Sequence, residues 1–241
     1  MTHDYFGGSV AERYDETSAA MFAAEVVDPV VDVLTELAGS GRALEFAIGT
    51  GRIALPLAAR GVDVAGIELS PDMVAQLRAK DGGAELKVAL GSFADTRVDG
   101  QFSLVYLVFN TIGNLTSQAL QVACFRNAAA HLAPGGTFVI EVGIPDLRLL
   151  PPGQTGVVFA MDDNHWGLDE YDVANQGLIS HHFERVDGVL QRNSLPFRYA
   201  FPAEFDLMAQ LAGLTLQDRW SDWDRTEFTS ESSKHVSVWV K

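Results

Sequence analysis

The run Ala43-Leu44-Glu45-Phe46-Ala47-Ile48-Gly49-Thr50-Gly51-Arg52 constrains this chain more than any other segment. An apolar stretch of strand character ends in a Gly-x-Gly turn, and Ile53-Ala54-Leu55-Pro56-Leu57-Ala58 then opens a helix. Strand, glycine turn and helix is how α/β proteins bring bare backbone against a nucleotide-like ligand. The next strand, Val62-Asp63-Val64-Ala65-Gly66-Ile67, ends on Glu68, placed to hold a ribose diol. Two adjacent strand ends therefore point to one crevice and leave open which ribose-bearing cofactor enters it.

The rest of the pattern supplies the sheet. After a largely helical stretch at 9–38, strands at 42–48, 62–67, 85–90, 102–109 and 136–142 alternate with helices at 52–60, 71–80 and 117–133. Such alternation predicts a Rossmann-like, doubly wound α/β fold, its sheet mostly parallel with helices on both faces. Ser70-Pro71 reads as a helix cap followed by proline at the first helical position. Ala133-Pro134-Gly135-Gly136 reads as a helix stop that leads into a buried strand. Beyond Gly143 the character changes to short β-like segments, with Asp187-Gly188 as a hairpin cue. A helix at 202–212 and strands at 214–220 and 235–240 close the chain, the last inserting antiparallel at the sheet edge. We read residues 1–241 as a single domain, with 1–40 as a helical cap and 144–201 as a small antiparallel β insertion after strand five that covers the substrate.

Composition narrows the partners. The net charge of −15 argues against nucleic acid and anionic lipid, since phosphate binding needs clustered Lys and Arg. No apolar run reaches the roughly 18 residues of a membrane span, and Met1-Thr2-His3-Asp4-Tyr5-Phe6 has no leader pattern. The lone Cys124 excludes an internal disulfide and reads as a small core residue, so a cytoplasmic protein acting on a small molecule is expected. Oligomeric state is not legible. No His/Cys/Asp grouping has metal-ligand spacing, and no Ser-His-Asp arrangement emerges.

Two cofactors compete for the crevice. Gly49-x-Gly51-x-x-Ala54 with Glu68 downstream fits the dinucleotide fingerprint, which by itself is a weak signal. Against it stand the helical segment before the first strand, a C-terminal strand pair in place of a second nucleotide-binding half, and Glu45. An anion four residues before Gly49 would repel a pyrophosphate and tolerate an ammonium and a sulfonium. Here the chain resembles a known family. Glu45-Phe46-Ala47-Ile48-Gly49-Thr50-Gly51 is similar to motif I of the class I S-adenosylmethionine-dependent methyltransferases, with Ala47 in place of its first glycine. Ile67-Glu68-Leu69-Ser70-x-x-Met73 resembles the segment around their ribose-binding acid. Ala133-Pro134-Gly135-Gly136 resembles their lead into strand five, and Ala11-Glu12-Arg13-Tyr14-Asp15 their cofactor-capping segment.

The resemblance implies S-adenosyl-L-methionine as cofactor. It places Ala47, Gly49, Thr50, Gly51 and Val108 along the cofactor's path and Glu45 near its amino group. Glu68 would accept from both ribose hydroxyls, while Leu69, Met73 and Phe93 sandwich the adenine. Ser92 stands where many members carry an adenine-binding aspartate, and Arg13 and Tyr14 would reach the carboxylate or close over the methyl.

On the acceptor side, Asn110 and Thr111 follow strand four at the sheet's carboxyl edge, where open α/β folds bind ligands. Strand periodicity lets only one of His181 and His182 face the site. His181, between apolar Ile179 and Phe183, is the expected general base. His131 reads as a favourable cation near a helix end or a surface residue. Trp166, Tyr171, Phe197 and Tyr199 would line the pocket or fill the insertion's own core. The expected reaction is in-line methyl transfer to nitrogen or oxygen of a small molecule, with a carbon acceptor undecided. An NAD(P)-dependent oxidoreductase and a non-catalytic S-adenosylmethionine-binding protein are the alternatives.

Overall fold

The computed structural model describes residues 4–186 and 188–241. Met1, Thr2, His3 and the hairpin residue Asp187 lie outside that set. Seven strands form the main sheet: β1 (Arg42–Phe46), β2 (Asp63–Glu68), β3 (Lys87–Leu90), β4 (Phe102–Leu107), β5 (Leu132–Gly143), β10 (Thr215–Trp220) and β11 (Lys234–Val240). Their order is β10-β11-β5-β4-β1-β2-β3. Strands β1 to β5 run parallel, and β11 lies antiparallel to both β5 and β10. The last strand therefore does not take the edge: β10 does, and β11 slots inside it. This explains why Trp239, on the face opposite Val236 and Val238, is as fully buried as they are.

Helices cover both faces. The expected helical stretch at 9–38 breaks into α1 (Ser9–Thr17), a 3-10 turn at Ala19–Phe22 and α2 (Ala24–Ala38). Val27, Val31, Leu34 and Ala38 recur at helical spacing and bury against Leu104 and Tyr106 of β4. Alternate β4 residues, Val105 and Leu107, enter the opposite core with Phe46, Phe125, Phe138 and Trp239. Between β1 and β2 runs the short α3 (Ala54–Ala59), and α4 (Pro71–Arg78) begins at Ser70, whose Oγ accepts the Met73 N–H at 3.4 Å. The helix α5 (Gln118–His131) is capped in the same way by Ser117. Cys124 sits wholly inside the core, where burial pushes its thiol far up.

His131 departs from its expected place. It is buried, its Nε2 accepting the Val98 N–H at 2.9 Å and its Nδ1 lying 2.8 Å from the Asn127 carbonyl. Desolvation lowers its pKa, so it is a neutral clasp on the loop before β4, and neither a surface residue nor a helix-end cation.

The insertion is a second sheet, antiparallel throughout, in the order β6 (Gly156–Met161), β7 (His165–Asp172), β8 (Gly177–Val186), β9 (Val189–Arg198). A buried guanidinium ties it to the main body. Arg198 donates to Gln121 of α5 (2.6 Å), to Gln176 (2.7 Å) and to Glu204 of α6 (Pro202–Leu211) at 2.6 Å. Burial opposes ionisation of Glu204, yet the bonds from Gln118, Gln176 and Arg198 hold its carboxyl below the usual range.

Candidate active site

The loop leaving β1 is built on left-handed backbone: Ala47 has φ 54°, Gly49 55° and Gly51 84°. It is fastened to β2, with the Ile48 N–H on the Ile67 carbonyl (3.0 Å) and the Gly49 N–H on Glu68 Oε2 (2.8 Å). Glu68 Oε1 takes the N–H groups of Leu69 and Ser70, both at 2.9 Å. Three backbone donors thus orient one carboxylate at a strand end. Burial raises its pKa while those bonds hold it down.

A cavity of about 950 Å³ opens beside this carboxylate. Its cofactor side is lined by Ala47, Gly49, Glu68, Leu69, Met73, Ser92 and Phe93, with Arg13 and Tyr14 from α1 above. The helix is held there by Asp15, which accepts from the buried Thr50 hydroxyl at 2.6 Å and pairs with Lys80. A second tie runs from the Gly8 N–H to Asp72 (2.7 Å). The arrangement fits a ribose-bearing cofactor. Glu68 keeps lone pairs beyond its three backbone bonds, and Leu69, Met73 and Phe93 offer an apolar slot beside it. Ser92 spends one lone pair on the Ala94 N–H (3.2 Å), leaving its hydroxyl proton to donate.

Four residues expected to meet the cofactor are not among those lining this cavity. Thr50 is turned to Asp15, and Gly51 is a packing glycine: a β-carbon there would meet Leu77 at 2.4 Å and Leu55 at 3.0 Å. Val108 is buried in the core facing α2. Glu45 is also buried, with the Tyr106 hydroxyl donating to its Oε2 at 2.9 Å. Desolvation pushes its carboxyl up to about 8, against the pull of the Tyr106 bond and of Arg52. Its carboxyl lies under the loop and does not line the cavity, so burial weakens the argument that its charge repels a pyrophosphate.

Just beyond β4 the chain turns through two left-handed residues, Phe109 (φ 61°) and Asn110 (φ 59°). Asparagine tolerates this backbone and a phenylalanine is strained in it. Asn110 Oδ1 accepts the Gly143 N–H, and Thr111 Oγ1 donates to the Val108 carbonyl at 2.7 Å. Both residues line the cavity.

The opposite wall is the insertion sheet. The register pairs Asp169 with Ser180, Gly167 with His182 and His165 with Glu184, so Ser180, His182 and Glu184 face the cavity together. His181 faces away, bound to Ser194 (2.8 Å), Glu170 (3.3 Å) and Arg192 (3.2 Å). The expectation of one inward histidine stands, but the inward one is His182. Phe197 lines this cavity; Tyr171 and Tyr199 line a smaller neighbour of about 260 Å³, and Trp166 carries the Arg185 guanidinium on its ring. Among the described residues no group of His, Cys, Asp or Glu has the arrangement of a metal site, and no helix is long and apolar enough to cross a membrane.

A seven-stranded sheet with β11 reversed, and a backbone-fastened carboxylate at the end of β2, is the arrangement of the class I S-adenosylmethionine-dependent methyltransferases. The chain belongs to that family. Residues 43–136 match the family described as a methyltransferase domain. The chain is 31% identical over 209 residues to the putative methyltransferase YqeM of Bacillus subtilis, covering 80% of this chain and 81% of that one. It is 37% identical to the CcbJ methyltransferase of Streptomyces caelestis, whose structure superposes with a TM-score of 0.79 over 88% of each chain. It is also 32% identical over 139 residues to a dTDP-3-amino-3,6-dideoxy-α-D-glucopyranose N,N-dimethyltransferase of Streptomyces fradiae, covering 56% of this chain and 54% of that one. The match thus spans about half the length of the amino-sugar dimethyltransferases.

Proposed function

We propose that this protein transfers the methyl group of S-adenosyl-L-methionine to a nitrogen or oxygen of a small molecule by in-line displacement. One observation carries the reading: a single cavity joins the Glu68 carboxylate to the polar wall of Asp169, Ser180, His182 and Glu184. The cofactor supplies a sulfonium-activated methyl and leaves as S-adenosylhomocysteine. The chain's own residues bind and align. Glu68 takes the ribose hydroxyls, Leu69, Met73 and Phe93 hold the base, and Ser92 donates to it. Arg13 and Tyr14 on α1 close over the entrance, and Asn110 and Thr111 stand between cofactor and acceptor. Alignment and exclusion of water supply several kcal/mol in such a displacement without covalent catalysis. The amino-sugar dimethyltransferases among the relatives lend weight to a small polar acceptor. The buried, lone Cys124 is in keeping with a reducing, cytoplasmic setting.

Isothermal calorimetry with S-adenosylhomocysteine, run beside NADH, tests the reading. Micromolar binding of the first alone is expected. Binding of NADH alone, or of neither, would overturn it, and binding without methyl transfer to any acceptor would leave a cofactor-binding module.

A further inference from the structure

The acceptor wall is three rungs of one antiparallel sheet. From the register, Asp169, Ser180 and Leu195 form the first rung, Gly167, His182 and Asn193 the second, and His165, Glu184 and Gln191 the third. Gly167 has no side chain for a reason: a β-carbon there would lie 2.2 Å from the Phe159 ring, which instead meets His182 edge-on at 5.3 Å. His182 is consequently held as half of a pair. Its Nδ1 lies 3.1 Å from His165 Nε2, the two ring planes 11° apart, and its Nε2 has only a long 3.3 Å contact with Ser180 Oγ. His165 is half-buried and opens β7 directly after the exposed turn 162–164.

Three charged residues of this sheet line the cavity, Asp169, Glu184 and Arg192. The Arg192 guanidinium is turned to the other face, to His181 and the Phe183 ring, which leaves the two carboxylates as the charges directed at the cavity. Arg13 lies across the cavity on α1. An oxygen acceptor activated by losing a proton becomes an anion, which this wall repels. A protonated amine is attracted to it and, having no lone pair, must be deprotonated before it can attack.

We propose that the acceptor is an amine, bound as its ammonium against Asp169 and Glu184 and deprotonated by His182, with His165 conducting the proton outward. The inference rests on the methyltransferase reading above. The ammonium N–H proton passes to His182 Nε2, the proton on His182 Nδ1 moves to His165 Nε2, and His165 releases one to water. The freed lone pair forms the N–CH3 bond while the S–CH3 electron pair stays on sulfur. Desolvation, and then His165, keep the His182 pKa below its ordinary value, while Asp169 and Glu184 pull it up. Phe159, Asn193 and Gln191, the other side chains facing the ring, carry no charge. Burial raises the Asp169 carboxyl while the Ser180 bond opposes that rise, and a cation beside it would oppose it further.

The test uses the full chain, methyl-labelled S-adenosylmethionine, and cyclohexylamine, piperidine and glucosamine against cyclohexanol, phenol and glucose. Label on the amines alone is expected. Label on the oxygen compounds, or on none of the six while S-adenosylhomocysteine still binds, overturns the proposal; loss of that binding as well overturns the methyltransferase reading itself. With an amine, His182→Gln should lower kcat about a hundredfold at pH 7, with unchanged S-adenosylhomocysteine affinity and a gap that closes as pH approaches the amine's own pKa. His165→Gln, acting through His182, should move the acidic limb of the rate profile to higher pH. An unmoved limb, or a His182→Gln loss that is independent of pH, overturns the relay. Should His182→Gln disturb the sheet, Asp169→Asn decides the binding part: it should raise KM for amines at least tenfold with little change in kcat, and an unchanged KM overturns it.

Discussion

The two walls of the cavity are made differently. On the cofactor side, backbone does the positioning: three N–H groups fix Glu68, and left-handed residues at 47, 49 and 51 shape the loop above it. On the acceptor side, side chains do it, projected from rungs of a sheet that touches the main body through the buried Arg198 cluster. Backbone geometry at a strand end depends on a few adjacent residues. A sheet face depends on register, where a slip of one residue exchanges every side chain. The cofactor wall is therefore locally determined and the acceptor wall is not, so damage to one should leave the other standing.

The most severe challenge to that separation is Arg198→Ala. It leaves Glu204 a partly buried charge without its partner, and breaking such a pair costs about 3–5 kcal/mol. Denaturant melts should show that loss, with S-adenosylhomocysteine affinity changed less than about threefold. A parallel collapse of affinity would mean that the walls are one cooperative unit. The same pair gives an acid limit. The Glu204 carboxyl is depressed in the fold, so its contribution is present above its unfolded pKa and disappears as pH falls through the lower folded one.

Glu45 probes the cofactor wall from below with the opposite sign. Its folded pKa of about 8 is raised above the unfolded value of 4.5. Its stabilising contribution is thus full below about pH 4.5 and is lost as pH rises to about 8, with a slope of up to roughly 1.4 kcal/mol per unit. Glu45→Gln should flatten the stability profile over that window in thermal melts at fixed ionic strength. A profile identical to the parent's would show the acid to be already ionised in the fold, the form that the Arg52 charge favours.

Glu68→Ala removes the charged acceptor proposed for the ribose. Hydrogen bonds to charged groups are worth about 1.5–3 kcal/mol, so calorimetry should record a loss of tenfold to a hundredfold or more in S-adenosylhomocysteine affinity. The substitution also strips the Gly49, Leu69 and Ser70 N–H groups of their acceptor. Glu68→Gln, which keeps an oxygen there, should recover stability better than affinity. Equal affinity in all three proteins would misplace the ribose and with it the contrast between the walls.

What was legible in the sequence follows the same division. Strand, glycine turn and helix are short-range patterns, and Gly49, Glu68, Leu69, Met73, Ser92 and Phe93 indeed meet at one cavity. Thr50, Gly51 and Glu45 share that stretch, and Val108 follows β4, yet none of the four lines the cavity, because spacing along the chain does not say which side of it a side chain takes. The inward face of β8 differs from the expected one for a physical reason. An apolar flank does not mark the ligand side here: Ser180, His182 and Glu184 form the polar face that a cavity for a polar ligand requires. The signal was there in their alternation with Ile179, His181 and Phe183. Asp169 and His165 join them only through the β7–β8 register, which no local pattern contains.

Ala47 is the mildest test and the sharpest on mechanism. The motif it resembles carries glycine at this position, and its φ of 54° is the conformation that an L side chain resists by about 1–2 kcal/mol. Ala47→Gly relieves that strain, but glycine gives back about 0.4–1 kcal/mol through the entropy of the unfolded chain. The methyl group also packs against the core beneath the loop and is lost. These terms nearly cancel, and thermal melts should place the variant within about 1 kcal/mol of the parent. Cofactor affinity should be equally little changed, because the backbone that shapes this wall keeps its course. A loss above about 2 kcal/mol would show that the methyl contact, and not the backbone, holds the loop. The cofactor wall would then be a side-chain construction like the wall it faces.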